Sequence, residues 1–218
     1  TPSCLLGIGN HLHSLRYLAL RAASRADAIG VTDDGVSAIA NGCPHLEVLD
    51  VALCGLLTSA AARALAAGCA QLRRLDIGDV VAIRDDGLVP IALHCARLEH
   101  LEARSLNLSS AAVAAFARGC PLLQHLSLDH ARRLDASAWS VIAGECRALR
   151  FLSAVCAEGL DDEAARQLAT GCTELRVLRL GPAERHPGLT KVVVDELRAA
   201  NPLLSITGGP RAAVKRRR

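Results

Sequence analysis

The chain contains no methionine, and its 218 residues include only two Phe, one Tyr and one Trp. A core organised around many large rings is therefore excluded. With 51% of residues apolar, the interior is expected to be aliphatic, built from Leu, Ala, Val, Ile and Cys. No stretch approaches the ~18 uninterrupted apolar residues that a membrane-crossing helix needs, so no membrane span is expected. The opening "TPSCLLGIGNHLHSL" lacks the charged start and long apolar run of a secretion signal. An excess of charge is also missing from the body of the chain. The formal net charge is +3, but Arg211, Lys215, Arg216, Arg217 and Arg218 all fall in the last eight positions. Without these five, 20 basic residues face 22 acidic ones, which offers no electrostatic footprint for nucleic acid. The nine cysteines are odd in number, and none forms a Cys-x-x-Cys pair. They argue against a fully paired secreted scaffold and for a reducing, cytoplasmic compartment. The basic end leaves a nuclear location open.

What is present is a period. Cys43, Cys69, Cys95, Cys120, Cys146 and Cys172 are spaced by 26, 26, 25, 26 and 26 residues. A fixed period of this size marks a solenoid. Three, six and eight residues after each Cys stand apolar residues, as in Leu46/Leu49/Val51, Leu72/Leu75/Ile77 and Leu123/Leu126/Leu128. The last two members of each triplet alternate as in a strand. Leu126 is expected to point inward, with Ser127 on the open side.

Before each Cys the period changes to that of a helix: Val36/Ile39/Ala40/Cys43 and Leu88/Ile91/Ala92/Cys95 lie at i, i+3, i+4 and i+7. Thr32-Asp33-Asp34, Thr58-Ser59, Asp85-Asp86, Ser109-Ser110 and Asp161-Asp162 are placed to cap helix starts. Gly42, Gly68, Gly119 and Gly171 are expected to end helices in a left-handed conformation. Each unit thus reads as strand, turn and helix. The cysteines act as small reduced hydrophobes at the helix-to-strand corner.

The fold expected is α/β: a leucine-rich-repeat solenoid, a horseshoe with parallel strands on the concave face and helices on the convex face. The array is expected to cover 1–207, with a partial unit at 1–12, seven units and a half unit at 202–207, followed by a basic tail at 208–218. Leu5, Ile8, Gly9 and Leu12 show the helical spacing again, so the chain opens on the helix of a unit. Either that helix caps the array or further sequence precedes it. Arg198 and Asn201 put polar residues into the last core slots, as a terminal cap requires. Two longer connections, at 21–30 and 181–188, are candidate rim loops.

The stretch "CPHLEVLDVALCGLLTSAAARALAAGC" resembles the cysteine-containing leucine-rich repeat of the F-box/LRR proteins. It has Cys-Pro at unit boundaries (Cys43-Pro44, Cys120-Pro121) and a Val31-Thr32-Asp33 step before the helix. The resemblance spans roughly 12–206. It implies a non-catalytic interaction module that recruits a partner or substrate, as a substrate receptor of an SCF-type ubiquitin ligase does. No F-box segment is found. The same repeat type also implies a second role, as a scaffold subunit of a large assembly such as the axonemal nexin–dynein regulatory complex.

In such a horseshoe the concave face carries three columns. The first runs Tyr17, Val48, Arg74, His100, His125, Phe151, Val177 and Leu203; the second Ala19, Asp50, Asp76, Glu102, Ser127, Ser153, Arg179 and Ser205. The third runs Arg21, Ala52, Gly78, Arg104, Asp129, Val155, Gly181 and Thr207. With strands about 4.8 Å apart, Asp50, Asp76 and Glu102 form an acidic stripe, which Arg74 and Arg104 are placed to relieve. Phe151, Val155 and Val177 offer an apolar anchor. The partner expected here is a protein, presenting a basic and apolar segment to this face. His100 and His125, near Glu102 and Asp129, are the one place where a metal or an enzyme site could be sought; the leading expectation is no metal, no cofactor and no catalysis.

Overall fold

The structure is a computed structural model and describes residues 2–24, 30–182 and 188–209. Eight helices alternate with eight strands among these residues. In chain order they are α1 (Pro2–His11), β1 (Tyr17–Ala19), α2 (Asp33–Gly42), β2 (Val48–Asp50), α3 (Ser59–Gly68), β3 (Arg74–Asp76), α4 (Asp85–His94) and β4 (His100–Glu102). The second half continues with α5 (Ser110–Gly119), β5 (His125–Ser127), α6 (Ala136–Glu145), β6 (Phe151–Ala154), α7 (Asp162–Gly171), β7 (Val177–Pro182), α8 (Lys191–Ala200) and β8 (Ser205–Gly209). The strands pair in sequence order into one parallel sheet, β1 to β8, and each helix packs on the next. The molecule is an α/β leucine-rich-repeat solenoid, with the strands on the concave face and the helices on the convex face. No helix among the described residues is long and apolar enough to cross a membrane.

The core follows the periods of the sequence. Leu49, Leu75, Leu101, Leu126 and Leu152 fill the middle of successive strands and are at most 2% exposed. The helical slots Val36, Ile39, Leu88, Ile91, Ile142 and Leu168 are fully buried against them. Trp139 and Phe116 are the two largest fully buried side chains, so the otherwise aliphatic core contains two rings. Trp139 occupies a helix slot and donates its indole N–H to the Glu158 carbonyl oxygen at 2.9 Å, which satisfies its only polar atom.

The six repeat cysteines are the C-caps of α2 to α7, free and buried. The sulfurs of Cys43, Cys69, Cys95, Cys120 and Cys172 point along the stack at backbone carbonyls of the preceding unit, as from Cys95 Sγ to the Cys69 oxygen at 3.6 Å and from Cys120 Sγ to the Cys95 oxygen at 3.7 Å. Burial raises their pKa, to about 12 for Cys69, Cys120 and Cys146 and to about 11 for Cys95 and Cys172. They are packing residues held as thiols.

The glycines before these cysteines differ from expectation. Gly42, Gly68, Gly119 and Gly171 are last residues of helices and do not have positive φ. What they supply is room. A Cβ on Gly68 would lie 2.0 Å from the Ala40 carbonyl oxygen, on Gly119 2.0 Å from that of Ala92, and on Gly171 2.1 Å from that of Ala143. Neighbouring helices touch backbone to backbone at these points. The non-glycine left-handed positions lie elsewhere, just past the strands β2 to β6: Leu53, Asp79, Ser105, His130 and Cys156, with φ between 57° and 65°. There the chain turns off the sheet while the ladder of hydrogen bonds continues, as from Leu53 N–H to the Gly78 oxygen and from Asp79 N–H to the Arg104 oxygen.

Four of the five helix starts named from the sequence are capped as expected: Thr32, Thr58, Ser109 and Asp161 each accept a first-turn backbone N–H. Asp135 and Thr190, not named from the sequence, do the same for α6 and α8. Asp85-Asp86 differs: the N-cap there is Arg84, which forms no side-chain cap. Asp85 instead accepts the Ser109 N–H of the next unit, and Asp86 accepts the Ser59 hydroxyl of the previous one.

The two ends differ. At the C-terminal end Arg198 donates to the Ile206 oxygen, and Asn201 accepts the Leu203 N–H. At the N-terminal end Leu12, standing in the Cys slot, is 48% exposed, and Leu15, Leu18 and Leu20 are only half-buried. The candidate rim loops fall largely on 25–29 and 183–187, and most of the basic tail on 210–218, outside the described residues.

Candidate interaction site on the concave face

Each strand contributes two solvent-side residues flanking its buried leucine, because successive side chains alternate across a sheet. Register in the sheet then sets which of them stand together. Tyr17 pairs with Val48, Val48 with Arg74, Arg74 with His100, His100 with His125, His125 with Phe151, and Phe151 with Val177. The second column likewise runs Asp50, Asp76, Glu102, Ser127, Ser153 and Arg179. Both columns match the sequence-derived ones up to β7. At β8 they do not: Val177 pairs with Ser205 and Arg179 with Thr207, so Leu203 precedes the strand and leaves the first column.

Charge on this face is distributed differently from the simple stripe. Arg21, from the segment after β1, donates its Nε to Asp50 Oδ2 at 2.8 Å and its other arm to Asp76. The remaining oxygens are also occupied: Asp50 Oδ1 accepts the Ala52 N–H at 3.0 Å, and Asp76 Oδ1 accepts the Gly78 N–H at 2.9 Å. Burial raises the Asp76 pKa, and the charge of Asp50 adds to that effect. Arg104 pairs with Asp79 at 2.9 Å rather than with the stripe, and lies across Gly78, where a Cβ would come 2.9 Å from its Cγ. Arg74, expected to relieve the acids, forms no ion pair among the described residues. Arg21 takes that role. Its third-column position beside Asp50 is the signal that could have identified it.

The middle of the face is a ring stack. His100 and His125 have centroids 5.3 Å apart at 26°, and His125 and Phe151 lie 4.1 Å apart at 3°. His125 Nε2 and Glu102 Oε1 are 2.6 Å apart. Burial acts to raise the Glu102 pKa, but the hydrogen bonds and charge from His125, with help from Ser127, outweigh it, and the pKa lies below the ordinary value. Burial, Arg74 and His125 lower the His100 pKa. Asp129 Oδ1 accepts the Ser153 hydroxyl at 2.5 Å and the Val155 N–H at 2.8 Å. The imidazoles therefore meet face to face, and Asp129 is turned to its own neighbours. Among the described residues no group of three or more His, Cys, Asp or Glu side chains could hold a metal ion.

Ser127 and Ser153 lie on the open side of the sheet, as the alternation requires, yet are only 3% and 1% exposed. Phe151, Val155 and Val177 are half-buried, so the apolar segment is flatter than an anchor pocket. A concavity lies toward the other end. It has a volume of about 440 Å³ and is lined by Tyr17, Arg21, Val48, Asp50, Arg74, Asp76, His100, Glu102 and His125, with Leu49 and Leu75 in its floor. The structure thus gathers seven of the sequence-derived site residues into one depression: Tyr17, Asp50, Arg74, Asp76, His100, Glu102 and His125. Arg104, Asp129, Phe151, Val155 and Val177 lie outside it.

No family model matches the chain, and no curated protein matches it. Among solved structures, the chain is similar to the crystal structure of an internalin (inlF) from Listeria monocytogenes. The TM-score is 0.57 at 16% identity, over 95% of this chain and 51% of that one. The chain therefore spans about half the length of that internalin, and the likeness is one of fold.

Proposed function

We propose that the chain is a non-catalytic protein-interaction module that seats a partner protein on its concave face. The observation that carries this reading is the depression of about 440 Å³ over β1 to β5. Its walls are side chains from successive strands of one sheet. Tyr17, 65% exposed, stands at its edge, and tyrosine is enriched at interfaces because it brings much area at little conformational cost. The cysteine-containing repeat, with its Cys43-Pro44 and Cys120-Pro121 boundaries, supports the finer reading that the partner is recruited as to an SCF-type ubiquitin ligase.

The test is affinity capture with the tagged chain, compared between Tyr17→Ala/His100→Ala on the concave face and Leu93→Ser on the convex face. The expected result is a set of partners lost from the concave variant and kept by the convex one. Partners lost only from the convex variant, or from neither, overturn the reading. Recovery of a Skp-type adaptor and a cullin supports the ligase role. Recovery of a stable cytoskeletal assembly in their place replaces it with the scaffold role.

A further inference from the structure

We propose that the partner places an acidic side chain on Arg74, so that the element recognised in the depression is an acidic segment of a protein. This rests on the reading of the concave face as a binding surface and names the chemistry it selects. The stripe of carboxylates would at first favour a basic segment, but the chain itself already satisfies it. Arg21 bridges Asp50 and Asp76, backbone N–H groups take their other oxygens, and His125 holds Glu102. A lysine or arginine from a partner would have to displace these bonds to reach them, and would approach Arg74 head-on.

Arg74 is in the opposite condition. It is exposed, lines the depression, and forms no hydrogen bond or ion pair through its side chain among the described residues. Its neighbours in the first column are Val48 on β2 and His100 on β4, neither of which is an acid. Burial, Arg74 and His125 lower the His100 pKa, which disfavours its charged form beside Arg74. A guanidinium presents a planar fork of donors that matches a carboxylate in two parallel hydrogen bonds. Tyr17 and Val48, beyond Arg74 toward β1, supply an apolar shelf beside it. The segment that fits carries Asp or Glu over Arg74 and an apolar residue next to it, over Val48 and Tyr17.

The experiment is selection of displayed random peptides on the whole chain, followed by fluorescence anisotropy of the selected peptides on the unaltered chain and on Arg74→Glu, Arg74→Lys and Tyr17→Ala. Arg74 is exposed and makes no internal bond, so its variants are expected to keep the thermal midpoint of the parent. The expected peptides are rich in Asp and Glu. Their affinity falls at least about tenfold on Arg74→Glu, is largely kept by Arg74→Lys, and weakens as salt is added. Selection of basic peptides, selection of none, or acidic peptides indifferent to Arg74→Glu overturns the proposal. If binding survives Arg74→Glu but is lost on Tyr17→Ala, the acidic assignment fails and the concave surface stands. If neither substitution matters, both fall.

Discussion

Asp33 and Thr58 share two hydrogen bonds across a repeat boundary: the Thr58 N–H donates to Oδ1 at 2.8 Å and its hydroxyl to Oδ2 at 2.6 Å. The first residue of one helix thereby holds the N-cap of the next. The same rung recurs as Arg84 N–H to Ser59 Oγ, Ser109 N–H to Asp85, Asp135 N–H to Ser110 Oγ, and Thr190 N–H to Asp162. Within this register Ala136 stands where the others have an oxygen.

That register sets the first prediction. Ala136→Ser supplies the acceptor and is expected to raise stability by up to about 1 kcal/mol, whereas Ser110→Ala removes a rung and lowers it by about 1–2 kcal/mol. Urea unfolding of the two variants beside the parent measures both.

Gly119 and Gly144 form a second contrast. A Cβ on Gly119 meets the Ala92 carbonyl oxygen at 2.0 Å, while one on Gly144 meets nothing within 4 Å. Gly119→Ala must push two helix backbones apart and is expected to cost at least about 1–3 kcal/mol. Gly144→Ala is expected to be neutral or to add up to about 1 kcal/mol, since alanine is the better helix former. Equal thermal shifts for the two would contradict the close approach.

In the core, Leu101→Ala opens a cavity beneath a fully buried strand position and is expected to cost about 2–5 kcal/mol. Leu93→Ala, at a side chain 66% exposed on the convex face, should leave the unfolding midpoint almost unchanged.

The pH dependence follows from two depressed groups. His100 and Glu102 both have folded pKa values below their ordinary ones. Each therefore contributes stability that is present above its unfolded pKa and is lost as pH falls through its folded pKa. For His100 the loss begins as pH drops below about 6.5, its ordinary value. Asp76, with a raised pKa, acts in the opposite sense and at lower pH. Urea midpoints are expected to fall between pH 7 and pH 5, and His100→Gln should flatten that slope. An unchanged slope in the variant would show that other groups carry it.

Thiol reactivity separates packing cysteines from surface ones. Cys4 is exposed, whereas the repeat cysteines are buried, with pKa pushed up as far as about 12 for Cys69, Cys120 and Cys146. The thiolate is the reacting species. Brief alkylation of the native protein followed by mass spectrometry is expected to label Cys4 and leave the six repeat positions unlabelled until the chain is unfolded.

The sequence by itself determined the repeat, the facing of Leu49 or Leu126 toward the core, and the first two columns as far as Val177 and Arg179. Periodicity is a local property: a period of two fixes which side of a strand faces inward, and a helical period fixes one face of a helix. Tertiary structure alone decided what local pattern cannot encode. Gly68 and Gly119 looked like left-handed helix ends. Only the stacked neighbours show that they are there so that two backbones can touch, while the left-handed turns go to Leu53 and its equivalents. The acids of the stripe were legible, but their partners were not, because Arg21 reaches Asp50 and Asp76 across two strand boundaries, from 29 and 55 residues away in the chain. Who neutralises whom depends on the direction and reach of long side chains over a curved sheet. That geometry left Arg74, expected to be the neutralising residue, as the one cation lining the depression without an internal partner among the described residues.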